Sequence, residues 1–301
     1  MDETSSEDRA KNDRRGAVFI VTGCACFATG GAILKYLSAD LGWAQMATLR
    51  HVFSVVFFLP MIVRLGPGYF FTARPLAHGL RGAFGSYSYA LFVLALVNMP
   101  MGDAFALAYT TPCWSLGLAV LVFGERFGGG RVAATALGFA GVLLIVRPGT
   151  GEGGFAPIFA FVALASGLLT SLAMMMVKRL SSSEPPDRIA FWFLAAGIPC
   201  VGPIAAFDWR PIEFAHVPWF VVLGALTFFG QRCLSRGYSL GTFSKMAPLI
   251  YAQVALATVW GFVAFGEVPL WSTLAGMAAI VLGAIWVVRE PARPVTSKRL
   301  P

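Results

Sequence analysis

The amino-acid sequence predicts an all-α membrane protein in which ten transmembrane helices form two inverted five-helix repeats. Three observations lead to this fold class: the hydrophobic content of the chain, ten separate apolar runs, and a repeat of the sequence at an offset of 142 to 143 residues. Together they indicate that the chain folds in a lipid bilayer rather than in water.

The hydrophobic content exceeds what a water-soluble domain tolerates. Of the 301 residues, 57% are hydrophobic and 13% are charged, and the mean hydropathy is +0.72. Soluble domains average about 45–50% apolar and about 25% charged residues. Because a spanning helix needs about 20 apolar residues, the chain has room for about ten spans and no additional soluble domain.

Ten uninterrupted apolar runs are separated by short connections rich in glycine, proline and serine, which are typical of turns. Each run is predicted to form one transmembrane helix. The charged segment 1–15 is predicted to be a solvated tail, and 291–301 a second tail. The runs cover residues 16–37, 43–63, 79–97, 103–123, 131–147, 156–177, 189–207, 217–237, 246–265 and 270–288.

The positions of Lys and Arg predict the orientation in the membrane. With the amino terminus inside, nineteen of the 23 basic residues fall in inner segments, whereas only Arg147 and Arg210 fall in outer connections. Cytoplasmic loops carry such an excess, so both termini are predicted to be cytoplasmic, in the cell inner membrane. The net charge of +8 is scattered in this way, and no nucleic-acid partner is expected.

The internal repeat divides the predicted spans into two sets of five. Because five is an odd number, the second copy must cross the membrane in the opposite sense, as in inverted-repeat secondary transporters. The repeats are predicted at 16–147 and 156–290, with an outer linker at 148–155. The offset aligns Tyr109 with Tyr251, Phe123-Gly124-Glu125 with Phe265-Gly266-Glu267, Gly141 with Gly283, Lys35 with Lys178, and Pro60 with Pro203.

Several short motifs in both halves carry a family resemblance that covers about residues 16 to 290. Those in the first half are Arg81-Gly82-Ala83-Phe84, Ala95-Leu96, Pro100, Asp103-Ala104, Thr111-Pro112, Phe123-Gly124-Glu125-Arg126, Gly138-Phe139-Ala140-Gly141-Val142-Leu143-Leu144 and Arg147-Pro148-Gly149. The second half has Ala247-Pro248-Leu249-Ile250-Tyr251 and Phe265-Gly266-Glu267-Val268-Pro269. The sequence thereby resembles the EamA domain of the drug/metabolite transporter superfamily.

This resemblance implies a central cavity between the two halves, alternately open to either side, and no ATP-binding subunit. We expect a secondary active transporter, monomer or homodimer, that moves a small amino-acid-like metabolite outward across the lipid bilayer. Uptake of a vitamin or cofactor, of the riboflavin or S-adenosylmethionine type, is the alternative within the superfamily. An integral membrane enzyme or a passive channel would be a different class.

Aromatic and polar residues predicted near the membrane midplane are the candidates for binding the substrate. Rings supply apolar area, and phenol and amide groups supply orientation, which is typical of small-molecule pockets. Ordinary packing between helices is the alternative. The candidates are Tyr109 and Trp114 in the fourth span, Tyr251 and Gln253 in the ninth, and Tyr87 and Tyr89 in the third.

Charged residues inside the spans form a second group of candidates, because ionisable groups in a bilayer are costly and usually functional. Arg50 lies about seven residues into the second span, roughly 10 Å below its outer end. Asp103 and Glu267 are the nearest predicted outer carboxylates, and a pair with Arg50 would shape an outer gate. Alternatively, Arg50 snorkels outward or pairs statically. Lys35 is expected to be a snorkelling anchor.

Residues for catalysis or metal binding are not apparent in the sequence. The three histidines, His51, His78 and His216, lack a second ligand at helical spacing. The five cysteines show neither disulfide nor zinc spacing. We therefore expect no enzymatic activity, metal or cofactor.

Overall fold

The computed structural model describes residues 3–111, 113–114, 118, 129–146, 156–180, 183–240 and 247–289. Within these residues the chain forms eleven α-helices and four 3₁₀ turns, the latter at Pro67–Phe70, Ala206–Asp208, Phe214–His216 and Ala247–Tyr251. The helices are α1 (Glu3–Leu37), α2 (Trp43–Val56), α3 (Leu59–Leu65), α4 (Pro75–Asn98), α5 (Met101–Ala108), α6 (Gly129–Val146), α7 (Pro157–Leu180), α8 (Pro186–Ala205), α9 (Val217–Leu240), α10 (Ala252–Phe265) and α11 (Trp271–Arg289).

Six helical segments of the described chain are long and apolar enough to cross a membrane: Lys11–Leu37, Trp43–Leu65, Pro75–Asn98, Pro157–Val177, Pro186–Asp208 and Phe214–Gly237. Shorter apolar helices occur at Ala136–Ile145, Leu249–Phe265 and Trp271–Gly283. The predicted all-α architecture is confirmed. The number of ten spans stays a prediction, because much of the predicted fourth span lies outside the described residues.

The second predicted span is broken rather than straight. Helix α2 ends at Val56, and α3 resumes at Leu59 with Pro60 in its first turn. Pro60 cannot donate a hydrogen bond to residue 56, and its ring clashes with that carbonyl. The backbone N–H groups of Met61 and Ile62 bond instead to Phe58 O, at 3.0 and 2.9 Å.

The first helix begins earlier than predicted, at Glu3 instead of residue 16. Residues 3–15, which were predicted to be a solvated tail, are therefore helical and continuous with the first predicted span. The Ala, Glu, Lys and Arg residues of this segment favour helix.

The helix bounds repeat at the same offset as the sequence. Helices α4 and α9 each have 24 residues, and both their ends differ by 142 positions. Helices α1 and α7 end 143 positions apart, and α2 and α8 begin 143 positions apart. The same elements therefore follow one another in both halves, apart from the stretches that are not described.

Helix packing follows the same pseudo-symmetry. The contact of α1 with α9 has its counterpart in α7 with α4, and the contact of α4 with α8 has its counterpart in α9 with α2. Equivalent helices also meet each other directly, α2 against α8 and α6 against α11. Helix α5 packs against α10, which belongs to the equivalent span. A two-fold relation between the halves produces this pattern.

Two glycines let α6 and α11 approach closely. A Cβ added to Gly141 would lie 2.6 Å from Gly276 O, and a Cβ added to Gly276 would lie 2.6 Å from Gly141 O. Real side chains do not fit at this distance, and small residues are the usual means by which membrane helices bring their backbones together.

Candidate functional site

The two tyrosines related by the repeat meet where the halves join. The rings of Tyr109, at the end of α5, and Tyr251, just before α10, are 6.4 Å apart at 66°. The Tyr109 hydroxyl donates a hydrogen bond of 2.5 Å to Gln253 Oε1. Tyr251 and Gln253 are buried. Three of the six predicted substrate-binding residues are thus in one cluster.

A series of aromatic rings connects this cluster to Arg50. Phe105 stacks on Tyr109 with 6.4 Å between centroids, and Phe92 meets Phe105 edge-on at 4.8 Å. Tyr89 follows Phe92 at 6.1 Å. The Arg50 guanidinium lies over the Tyr89 ring, 3.4 Å from its centroid. Tyr89 therefore joins the tyrosine cluster indirectly, through two phenylalanines.

The other two aromatic candidates lie elsewhere. Trp114 packs on α7: its Cδ1 is 3.4 Å from the position of a Cβ on Gly167. Tyr87 is 41% exposed on α4.

Arg50 packs toward α4, α8 and α9. Its Nη1 lies 3.5 Å from Thr227 Oγ1 on α9, and its Nη2 lies 3.5 Å from His51 Nε2. His51 in turn meets Phe193 on α8, with 5.7 Å between ring centroids. Because α2 packs chiefly against these helices, Arg50 is held there.

Among the described residues, Arg50 forms no ion pair with Asp103 or Glu267, the two predicted outer partners. Glu267 instead forms an ion pair with Lys35, whose Nζ also donates to Met99 O at 2.7 Å. Glu267 Oε2 accepts a hydrogen bond from Met101 N at 2.7 Å. Lys35, which was expected to be a snorkelling anchor, is thus paired with Glu267, because the ends of α1 and α10 bring the two side chains together. Asp103 is buried in the first turn of α5.

Sequence reasoning missed Arg81, which it counted among the inner loop charges. Arg81 is buried, and its guanidinium lies 4.3 Å from the centroid of the Phe193 ring. A Cβ on Gly85 would stand 2.2 Å from Arg81 Nη1, so this side chain lies along α4 over the glycine. Helix α4 begins at Pro75, four residues before the predicted span, so Arg81 lies within the helix rather than near its first residue.

A polar network links the loop before α4 to the loop between α7 and α8, at the opposite end of the bundle from Lys35. Glu184 accepts hydrogen bonds of 2.6 Å from Thr72 Oγ1 and from Arg188 Nη1, and Arg188 Nε donates to Tyr69 O at 2.6 Å. Burial raises the pKa of Glu184, but these bonds and the Arg188 charge outweigh it and bring the pKa below its ordinary value.

The motifs, the repeated helix bounds and the meeting of Tyr109 with Tyr251 all agree with a family model that matches the chain twice. The EamA-like transporter family model covers residues 14–147 and 157–289. The chain belongs to the EamA-like transporter family. It is accordingly a multi-pass membrane protein and a transporter rather than an enzyme.

Curated relatives resemble this EamA-like transporter over nearly its whole length. A riboflavin transporter of Rhizobium johnstonii is 28% identical over 97% of both chains. An S-adenosylmethionine uptake transporter of Rickettsia prowazekii is 23% identical over 97% of this chain and 98% of the relative. A pseudopaline exporter of Pseudomonas aeruginosa is 24% identical over 92% and 96%.

A protein of known crystal structure shares the fold of this EamA-like transporter. The two superimpose with a TM-score of 0.60 at 20% sequence identity, over 92% of this chain and 96% of the other. The likeness covers both halves, so the two proteins share the same overall fold.

Proposed function

We propose that this protein is a secondary active transporter in the cell inner membrane, with both termini cytoplasmic, that carries a small metabolite with a flat aromatic part. The observation that carries the proposal is the meeting of Tyr109, Tyr251 and Gln253 where the two repeats join. Inverted-repeat transporters bind their substrates at such a junction near the midplane. Tyrosine rings offer stacking area, and the amide offers a donor and acceptor.

The named relatives favour a vitamin- or cofactor-type substrate, taken up, over the amino-acid-like export that the sequence favoured. Two of them are named for riboflavin and S-adenosylmethionine, and both compounds contain a flat heterocycle. Export of an amino-acid-like metabolite is the second candidate, supported by the relative named as an exporter.

Transport would proceed by alternating access, with the two repeats rocking about the tyrosine cluster. In this mechanism the Lys35–Glu267 pair, which joins α1, the start of α5 and the end of α10, holds the predicted outer side closed. Asp103, in the first turn of α5, completes the predicted outer gate.

A proteoliposome experiment tests the proposed function. Purified protein is reconstituted, and uptake of labelled riboflavin, S-adenosylmethionine and a set of amino acids is measured against empty liposomes. We expect saturable transport of at least one heterocyclic compound, and weaker apparent affinity for it in Tyr251→Phe and Gln253→Ala. Transport of none of these compounds contradicts the proposal, and transport of amino acids alone favours the second candidate.

A further inference from the structure

Two buried arginines lie between α2, α4 and α8. Arg50 is 3% exposed and Arg81 is 7% exposed. Among the described residues, no Asp or Glu is within ion-pair distance of either guanidinium. A charge held inside the membrane region is costly and normally pairs with another group or faces a substrate path.

The aromatic rings stabilise the faces of the two guanidinium groups, but the Nε–H groups at their edges have no hydrogen-bond partner among the described residues. A cation–π contact engages the face of the planar group, whereas its five N–H donors lie in the plane. The Nε atoms of both arginines are buried without a hydrogen-bond partner in the described chain. Arg50's two polar contacts, to Thr227 and His51, are long at 3.5 Å.

A serine hydroxyl in the same interior is also buried. Ser54 is fully buried, and its Oγ has no hydrogen-bond partner among the described residues. It lies four residues after Arg50 on α2, so the two side chains share a helix face. Such a concentration of unfilled donors is unusual in a protein interior.

The backbone brings the three groups toward one region. The Arg81 guanidinium lies alongside Gly85 and over Phe193, and Phe193 contacts His51, the neighbour of Arg50. Gly85 is one turn, or about 5.4 Å, before Tyr89 along α4, and Arg50 covers Tyr89. The unsatisfied hydrogen-bond donors of Arg50, Ser54 and Arg81 therefore lie within about two helical turns of one another.

We infer that Arg50 and Arg81, with the Ser54 hydroxyl, bind an anionic group of the transported metabolite, a carboxylate or a phosphate. This inference rests on the proposed function and adds a charge to the substrate class. Guanidinium forks match the two oxygens of a carboxylate or phosphate, and the hydroxyl supplies a third donor. The ring series from Tyr89 to Tyr109 connects the anion site to the aromatic cluster.

The test compares pairs of ligands in which one member carries an anionic group that the other lacks. Binding to the purified full-length protein is measured by thermal stabilisation with flavin mononucleotide against riboflavin, and with S-adenosylmethionine against its methyl ester. We expect the more anionic member of at least one pair to bind about tenfold more tightly, the effect of a hydrogen bond to a charged group. Arg50→Gln and Arg81→Gln should each abolish this preference while the affinity for the member that lacks the anionic group changes less than about twofold.

Matched variants separate charge recognition from folding. Arg64→Gln, which removes an exposed arginine on α3, should keep the full preference. If an arginine variant does not fold, Ser54→Ala tests the site instead. This variant leaves both guanidinium groups in place and should reduce the preference for the anionic ligand. The inference is overturned if wild type shows no preference, if the preference survives both arginine variants, or if no ligand of the four stabilises the protein. Transport of a neutral heterocycle without charge preference overturns the anion site alone and leaves the proposed function standing.

Discussion

Tyr109 and Tyr251, 142 positions apart in the sequence, place their rings 6.4 Å apart in the structure. Two equivalent residues can meet only near the axis that relates the repeats, so this contact marks where the halves join. The Tyr109 hydroxyl bonds across the junction to Gln253. The same bond therefore links the two halves and shapes the candidate binding surface.

Loss of this bond should affect stability as well as transport. Tyr109→Phe leaves the buried Gln253 Oε1 without its donor, which costs about 1–3 kcal/mol. We expect a lower melting temperature and weaker substrate affinity. The double variant Tyr109→Phe/Gln253→Leu should lose less stability than the sum of the single changes. Tyr36→Phe, at an exposed tyrosine, is the control. Additive losses would show that the two residues act independently.

The sequence was sufficient to predict the repeat and to place Tyr109 and Tyr251 in equivalent positions of the two copies, because equal spacing in two copies has a geometric consequence. It could not predict the partner of Glu267. Lys35 and Glu267 are 232 positions apart, and only the relative ends of α1 and α10 decide that they meet. Arg81 was missed because a charge at the edge of an apolar run looks the same in sequence whether it is solvated or buried.

The Lys35–Glu267 pair should contribute to both stability and transport. Its side chains are 15% and 20% exposed, so solvent screening is reduced but not absent. Glu267→Gln removes the ion pair and keeps an acceptor for Met101 N, whereas Glu267→Ala removes both. We expect a graded fall in melting temperature and uptake, with Ala below Gln and a loss of about 1–3 kcal/mol. Arg64→Gln is the control. A Glu267→Ala variant with the melting temperature and uptake of wild type would exclude the gate role of the pair.

Acid pH should weaken the Glu184 network. The folded-state pKa of Glu184 lies below its ordinary value of 4.5, so the carboxylate's stabilising contribution is complete above that value and is lost as the pH falls through the folded pKa. Melting temperatures of wild type and Glu184→Gln, measured from pH 7 to pH 3, should converge at low pH. The difference between Asp208→Asn and wild type, at an exposed carboxylate, should stay small. A constant gap between Glu184→Gln and wild type would contradict the linkage.

Side chains larger than hydrogen should separate α6 from α11. A Cβ at Gly276 would lie 2.6 Å from Gly141 O and 2.7 Å from Ile145 Cγ1. Gly276→Val should therefore force the helices apart and lower the melting temperature clearly, since overpacking typically costs about 1–3 kcal/mol. Gly79→Ala on α4 meets nothing within 4 Å and should be neutral or slightly stabilising. Equal melting temperatures for the two variants would show that the α6–α11 contact is unimportant.

Labelling of single cysteines should decide the predicted orientation. The loops near Gly42, Pro100, Gly151, Asp208 and Val268 are predicted to face outward, from the nineteen-to-two division of basic residues. Gly151 lies outside the described residues.

Asp208 and Val268 are exposed in the structure, as is Val63 near the predicted inner face. With the five native cysteines replaced, Asp208→Cys and Val268→Cys should react with an impermeant maleimide in intact cells. Val63→Cys should react only after the cells are opened. The reverse pattern would place the termini outside. Labelling of only one of the two outer positions would contradict the helix count, because Asp208 and Val268 are separated by two predicted spans and should lie on the same side.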